Sequence, residues 1–160
     1  HHQQVQDQRT AEAHQMNFKL VSRLLSVVMV ILALAFATCY GVVLLLDTGS
    51  ERPITGRAFL FSIAVSLASA GALFITSRNA STRFFRREAL SIIGLGWILS
   101  SIVGCVPYLF ITPEIGIAGA IFESVSGLTT TGASVLTNLE ELPRSLLFWR
   151  SLSQWIGGMG

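Results

Sequence analysis

A hydroxyl-rich segment in the last third of the chain has the residue types of a cation-binding backbone. The segment TTTG, Thr129 to Gly132, follows a short apolar run, Ile115 to Leu128, and precedes another apolar run after Pro143. Threonine tolerates an extended backbone and adds a hydroxyl oxygen, while glycine permits backbone angles that aim successive carbonyls at one axis. Backbone carbonyls that replace the hydration shell of an ion are the chemistry of a potassium filter. The segment therefore predicts a non-helical strand whose carbonyl oxygens bind a cation.

The glycine spacing of this segment is also that of a phosphate-binding P-loop. Gly127 and Gly132 have the required separation, but Ala133 stands where that loop needs a lysine, and no soluble strand–helix unit surrounds it. We therefore reject nucleotide binding. An ordinary turn is the other alternative, and the position between two apolar segments favours the filter.

Charged residues around the segment are few, and each has two interpretations. Glu123 lies inside the short apolar run, where we expect it to brace neighbouring groups rather than to touch the ion. Arg150 lies one to two turns into the last apolar segment, where it either pairs with an acid such as Glu123 or Glu140 or snorkels to the outer interface. We expect the pairing. Glu140 and Glu141 either concentrate cations at the mouth of the path or lie in a solvated loop, paired there with Arg144.

The composition excludes several classes of protein. The 160 residues are 51% hydrophobic and 12% charged, about half the charged fraction of a typical soluble domain. The three histidines all lie in the polar N-terminal tail, while Cys39 and Cys105 lie in apolar runs as small buried hydrophobes. Neither GxSxG nor HExxH occurs, which argues against an intramembrane protease. We expect no enzyme activity, no cofactor and no nucleic-acid partner.

Three uncharged stretches are long enough to cross a bilayer. They cover residues 24–46, 58–77 and 89–113, and about 20 residues suffice for a spanning helix. Small residues recur every four positions in the second stretch, as is typical of closely packed membrane helices. The two sets are Ser62, Ser66 and Ala70, and Ala64, Ala68 and Ala72. The 14 residues from Ile115 to Leu128 are too short to span and predict a re-entrant helix.

Arginines determine the predicted orientation. Between the second and third stretches lie Arg78, Arg83, Arg86 and Arg87. By the positive-inside rule this connection is cytoplasmic, and the loop 47–57, with two acids and two bases, lies outside. The same arginines could also contact anionic lipid or a cytoplasmic partner.

These assignments predict an all-α membrane protein. Two leading transmembrane helices precede a helix–pore-loop–helix repeat of a potassium-channel-like fold, truncated in its second helix. Residues 1–15 precede the first methionine and are interpreted as a non-native or disordered tail. The chain is interpreted as the N-terminal part of a larger protein. The predicted segments are two transmembrane helices in 16–77, a cytoplasmic basic loop in 78–88, a transmembrane helix in 89–112, a pore helix in 115–128, a filter in 129–133, an outer loop in 134–143 and the start of a second helix in 144–160.

Two long segments are similar to Trk-type potassium uptake proteins. FESVSGLTTTGAS, from Phe122, and LPRSLLFWRSLSQWIGGMG, from Leu142, resemble the first pore loop and following helix of the TrkH/TrkG family, in the Trk/Ktr/HKT superfamily. The resemblance extends from about Met16 to the end of the chain. It implies a pore of four non-identical repeats in one chain, of which this sequence holds the first up to the start of its second helix.

The resemblance also implies a function, ion ligands and partners. The conserved filter glycine matches Gly132, the carbonyls of Thr130 and Thr131 face the ion, and Thr129 lies at the inner end, so these four are the candidate metal-site residues. The implied function is uptake of K⁺, the transported ion, by a symporter-type pore subunit in the bacterial inner membrane. The implied partners are the lipid bilayer, the cytoplasmic nucleotide-binding subunit TrkA and a second copy of the full-length chain in a homodimer. A non-transporting membrane anchor or assembly protein is the alternative function.

Overall fold

The structure, a computed structural model, describes residues 18–77 and 86–159. Its helices are α1 (Phe18–Leu46), α2 (Arg52–Thr76), α3 (Arg86–Gly104), α4 (Val106–Ile111), α5 (Gly116–Leu128) and α6 (Arg144–Met159), with 3₁₀ turns at Pro113–Ile115 and Leu139–Glu141. The described ranges contain no strand, and the predicted all-α fold class is confirmed. The predicted tail 1–15 and the basic connection up to residue 85 lie outside the described residues.

Three helical stretches are long and apolar enough to cross a membrane, as the sequence predicts. They are Phe18–Leu46, Arg52–Thr76 and Leu90–Ile111. The helix of the third stretch begins at Arg86, three residues before the predicted start at 89. Arginine and glutamate are good helix formers, so a helix can continue beyond the apolar run that marks it in the sequence.

The third stretch is broken between α3 and α4. Pro107 has no N–H to bond the carbonyl of Val103, and the helical ladder is interrupted at Cys105. Helical hydrogen bonding resumes directly after the proline, because Tyr108 N–H donates to the Cys105 carbonyl at 3.1 Å. The proline therefore divides one membrane-spanning stretch into two helices.

α1 and α2 form a helical hairpin around a turn that contains Gly49, with φ 65°. Phe36 of α1 packs against Phe59 of α2, with ring centroids 6.3 Å apart. Only one of the two predicted small-residue sets faces the interior. Ser62, Ser66 and Ala70 are buried, whereas Ala64, Ala68 and Ala72 are exposed.

A fully buried tryptophan joins this hairpin to the rest of the chain. Trp149 of α6 lies 4.5 Å from Phe36, measured between ring centroids, and its Nε1 donates to the carbonyl of Gly104 at 3.2 Å. A Cβ at Gly104 would lie 2.5 Å from Ser124 Oγ of α5. The glycine therefore allows α3, α5 and α6 to meet beside α1.

Candidate functional site

The candidate site begins at the C-terminal end of α5, a helix too short to cross a bilayer. Its 13 residues extend about 20 Å at ~1.5 Å per residue, whereas a bilayer core is ~30 Å thick. The chain enters α5 directly from the 3₁₀ turn Pro113–Ile115, through Gly116 at φ 65°. A half-length helix therefore occupies the stretch in which the sequence predicts a re-entrant segment.

The end of α5 is a Schellman cap whose left-handed residue is a threonine. Thr131 N–H donates to the Ser126 carbonyl at 3.0 Å, and Thr130 N–H donates to the Gly127 carbonyl at 3.0 Å. Thr130 thus occupies the position that glycine usually holds, with φ 57°. A β-branched residue rarely adopts this conformation, because its Cβ crowds the carbonyl group. The non-helical segment therefore starts at Thr131, since Thr129 and Thr130 form the turn of the cap. This segment, residues 131–136, belongs to no β-sheet and is called the strand below.

The residues after the cap run without regular structure and with an open backbone. Residues 131–135 are exposed, and Gly132 has φ 73°, in the region that favours glycine. A Cβ at Gly132 would meet only Gln154 Nε2, at 3.7 Å, so backbone conformation rather than lack of space selects glycine. Within the described part of the chain, no N–H or O–H donates to the carbonyl oxygens of residues 129–132. These four carbonyls are available to a ligand.

Ser126 ties the strand to α5. Its carbonyl accepts the N–H groups of Thr131 and Gly132, at 3.0 and 3.3 Å, and its Oγ donates to the Ala133 carbonyl at 2.5 Å. The run of available carbonyls therefore ends at Gly132. The sequence analysis missed Ser126, and a hydroxyl in a short apolar helix was the available signal.

Glu123 is a buried carboxylate that holds the next part of the strand. Its Oε1 accepts Ser134 Oγ at 2.8 Å and the N–H groups of Val135 and Leu136 at 2.7 and 3.4 Å. Its Oε2 forms an ion pair with Arg150 Nη1. A buried charge is tolerated when it is paired and hydrogen-bonded, and this one is both. The structure confirms the interpretation of Glu123 as a brace.

Arg150 brings α6 into this network. Besides its ion pair with Glu123, its Nη1 donates to Ser134 Oγ at 3.3 Å. The prediction that Arg150 pairs with an acid is confirmed, and the partner is Glu123 rather than Glu140. One guanidinium therefore links three elements: α6, α5 and the strand.

Glycines allow α6 to pack against the C-terminal end of α5. A Cβ at Gly157 would overlap the carbonyl oxygen of Leu128, and a Cβ at Gly127 would overlap Ser153 Oγ. Close helix packing thus accounts for Gly127, the first glycine of the P-loop-like spacing. It also accounts for Gly157 in the glycine-rich end of α6.

Glu140 and Glu141 lie apart from this network, in the exposed 3₁₀ turn Leu139–Glu141. Within the residues described, no ion pair joins either of them to Arg144. Their place in an exposed turn fits the solvated-loop interpretation, and their charges remain a source of negative potential.

Known proteins resemble this chain over most of its length. The family model TrkH, a cation transport protein, matches residues 54–160. The Trk system potassium uptake protein TrkH of Escherichia coli K12 is 38% identical over 146 residues, which cover 91% of this chain and 29% of that protein. An uncharacterized cation transporter of Methanocaldococcus jannaschii is 44% identical over 66 residues, or 41% of this chain and 14% of that protein.

A solved structure has the same arrangement of helices. The crystal structure of the potassium transporter TrkH from Vibrio parahaemolyticus matches with a TM-score of 0.81 at 32% identity, covering 91% of this chain and 30% of that one. The chain thus spans less than a third of the length of these relatives.

Proposed function

Because the chain belongs to the TrkH family of cation transport proteins, we propose that it forms the first pore unit of a potassium uptake protein in the bacterial inner membrane. The observation that carries this proposal is the run of four available carbonyls at residues 129–132, directly after a half-length helix. Non-helical backbone at membrane depth requires protein or a water-filled path around it, and an ion path meets that requirement. K⁺ is the transported ion, and the pore needs no cofactor.

The carbonyl groups of Thr129, Thr130, Thr131 and Gly132 are the proposed K⁺ ligands. A cation that leaves water needs oxygen atoms in place of its hydration shell, and carbonyl dipoles supply them without a full negative charge. α5 ends where the strand begins, so the negative end of its macrodipole, equivalent to about half a charge, also favours a cation there. Thr129 Oγ1 is engaged in donating to the Val125 carbonyl at 2.7 Å, which stabilises the turn.

The Glu123–Arg150 pair serves this strand as a support rather than as an ion ligand. The carboxylate is 1% exposed and its oxygen atoms are occupied by Arg150, Ser134 and backbone N–H groups. Since the pair is neutral overall, it fixes the strand without placing a net charge beside the ion. The other pore units, a second copy of the full-length chain and the nucleotide-binding subunit TrkA are the partners that we propose for the whole protein.

The test of this function is Gly132→Ser in the full gene product that carries this sequence. Serine opposes φ 73° at a cost of ~1–2 kcal/mol. We expect this strain to displace the carbonyl oxygens from the ion, and a loss of ~1.4 kcal/mol in the preference for K⁺ over Na⁺ would lower discrimination about tenfold. The measurement is uptake of K⁺ and Na⁺ in a potassium-uptake-deficient bacterium, normalised to inserted protein.

Thr129→Ser is the matched control, because it keeps both the hydroxyl and the backbone, and we expect nearly normal uptake. A Gly132→Ser protein with intact selectivity but a lower level in the membrane would identify Gly132 as a structural turn residue. Wild-type protein that inserts and takes up no K⁺ would instead favour the non-transporting anchor.

A further inference from the structure

Asp47, the residue directly after α1, holds the start of α6. Its carboxylate is buried, and it accepts the Ser145 N–H at 3.1 Å through Oδ1 and Ser145 Oγ at 2.5 Å through Oδ2. The two residues are 98 positions apart in the chain. The contact joins the turn between the two leading helices to the helix that follows the candidate filter.

The need for this contact follows from the sequence around α6. The first turn of a helix leaves N–H groups without internal partners, and a side-chain oxygen at the preceding residue usually accepts one of them. Here the preceding residue is Pro143, whose side chain has no acceptor. A carboxylate from another element fills that role and also stabilises the positive end of the helix dipole. Asp47 therefore supplies the capping acceptor of α6 from another part of the chain.

The cap also fixes the height of α6 along its axis. The helix is held by Asp47 at Ser145, by Glu123 at Arg150 and by close packing of Gly157 on Leu128. A shift by one residue would move side chains by ~1.5 Å along the axis and ~100° around it. Such a shift would carry the Arg150 guanidinium away from Glu123, whose other oxygen holds the strand.

We propose that Asp47 is a positioning residue for the ion path. Through the cap on α6 it places Arg150 against Glu123, and through that pair it fixes the strand after Gly132. The leading helices are then part of the machinery that shapes the filter. This inference rests on the proposed function, because its main readout is ion selectivity.

The experiment compares Asp47→Ala and Asp47→Asn with Glu51→Ala in the full gene product. Glu51 is an exposed acid in the same turn and serves as the matched control for loss of charge. We expect Asp47→Ala to reduce K⁺ over Na⁺ discrimination by about fivefold or more per inserted protein, because the strand then loses the support that Arg150 and Glu123 give it. Asn keeps one acceptor and should lose less, and Glu51→Ala should behave as wild type.

A second measurement tests the Asp47–Ser145 contact independently of ion transport. Melting temperatures of purified Asp47→Ala, Ser145→Ala and the double variant should be non-additive, because both single changes remove the same hydrogen bond. Wild-type protein without K⁺ uptake would defeat the proposed function, while this coupling would still report on the cap. Additive melting temperatures, or Asp47 variants that insert less but retain selectivity per inserted protein, would overturn the positioning role. If Asp47→Ala fails to insert, the Asn variant decides.

Discussion

Thr130 is the residue at which local preference and the tertiary arrangement disagree. The Schellman cap requires a left-handed residue, and the sequence provides a β-branched threonine, with φ 57°, rather than glycine. Strained backbone persists only where its surroundings determine it, and such positions cluster at functional sites. Ser126 and Glu123 hold the strand that follows, which is how the strain is maintained. We infer that the protein keeps this conformation because it presents the carbonyls that we propose as ion ligands.

This strain predicts an unusual effect of glycine. Thr130→Gly removes a left-handed penalty of ~1–2 kcal/mol and adds ~0.5–1 kcal/mol of unfolded-chain entropy, so the protein should become about 0.5–1 kcal/mol more stable. Thr131→Gly, at a residue with negative φ, has only the entropy cost and should lower stability. The measurement is the melting temperature of the purified full gene product. Equal losses in the two variants would contradict the left-handed conformation of Thr130.

Among the elements, α6 has the most demanding position. It is capped by Asp47, anchored by the buried ring of Trp149, paired through Arg150 and packed by Gly157 against the end of α5. Each contact belongs to a different partner, so together they fix both rotation and height. These contacts fix the position of α6, and α6 in turn holds the strand through Arg150.

Substitutions at two neighbouring glycines test the close packing of α6 against α5. A Cβ at Gly157 would overlap the Leu128 carbonyl, a backbone atom that cannot turn aside, whereas a Cβ at Gly158 would lie 3.7 Å from Thr130 Cγ2, an ordinary contact. We expect Gly157→Ala to lower stability by ~1–3 kcal/mol through overpacking and to reduce K⁺ uptake per inserted protein. Gly158→Ala should leave both unchanged or slightly improve stability. Melting temperature and uptake, measured for both variants, give the comparison. Equal behaviour of the two would show that α6 does not approach α5 through Gly157.

The molecule as a whole presents an apolar exterior that suits a bilayer. Large side chains such as Leu45 (82% exposed), Leu90 (71%) and Ile117 (69%) point outward from the helices. Exposed apolar side chains on α1, α3 and α5 suit contact with a membrane or another protein. Inside the molecule, the Asp47–Ser145 contact places the turn between α1 and α2 and the start of α6 at the same end of the helix bundle. This agrees with an orientation in which both lie at the outer face.

Cysteine labelling tests that orientation. A membrane-impermeant thiol reagent applied from outside should modify Ser50→Cys, in the exposed first turn, and should not modify Ser81→Cys until the membrane is permeabilised. Cys39 and Cys105 are buried, so the unsubstituted protein provides a low background. The reverse pattern would show that the orientation is inverted, and the filter would then not face the outside as predicted.

The sequence alone determined the features that depend on local composition. Three apolar stretches identified the helices long enough to span a membrane, and the short run before Thr129 identified the half-length helix. The arginines predict an orientation, which the cysteine labelling tests. The glycine of the TTTG segment was recognisable because a left-handed backbone and a carbonyl filter both favour glycine, and Gly132 has φ 73°. Glu123 and Arg150 were identifiable because a charge in an apolar segment requires a partner.

Only the tertiary structure decided which groups meet. The sequence left Arg150 with two candidate acids and α2 with two equivalent small-residue sets, and packing selected Glu123 and the set containing Ser62. It gave no sign that Asp47 caps a helix 98 residues away, or that Thr130 would take the left-handed position of a Schellman cap. Hydropathy and charge patterns are local, one-dimensional signals, whereas these contacts depend on the distance and rotation between helices. Those are set by how closely side chains and glycines allow the helices to pack.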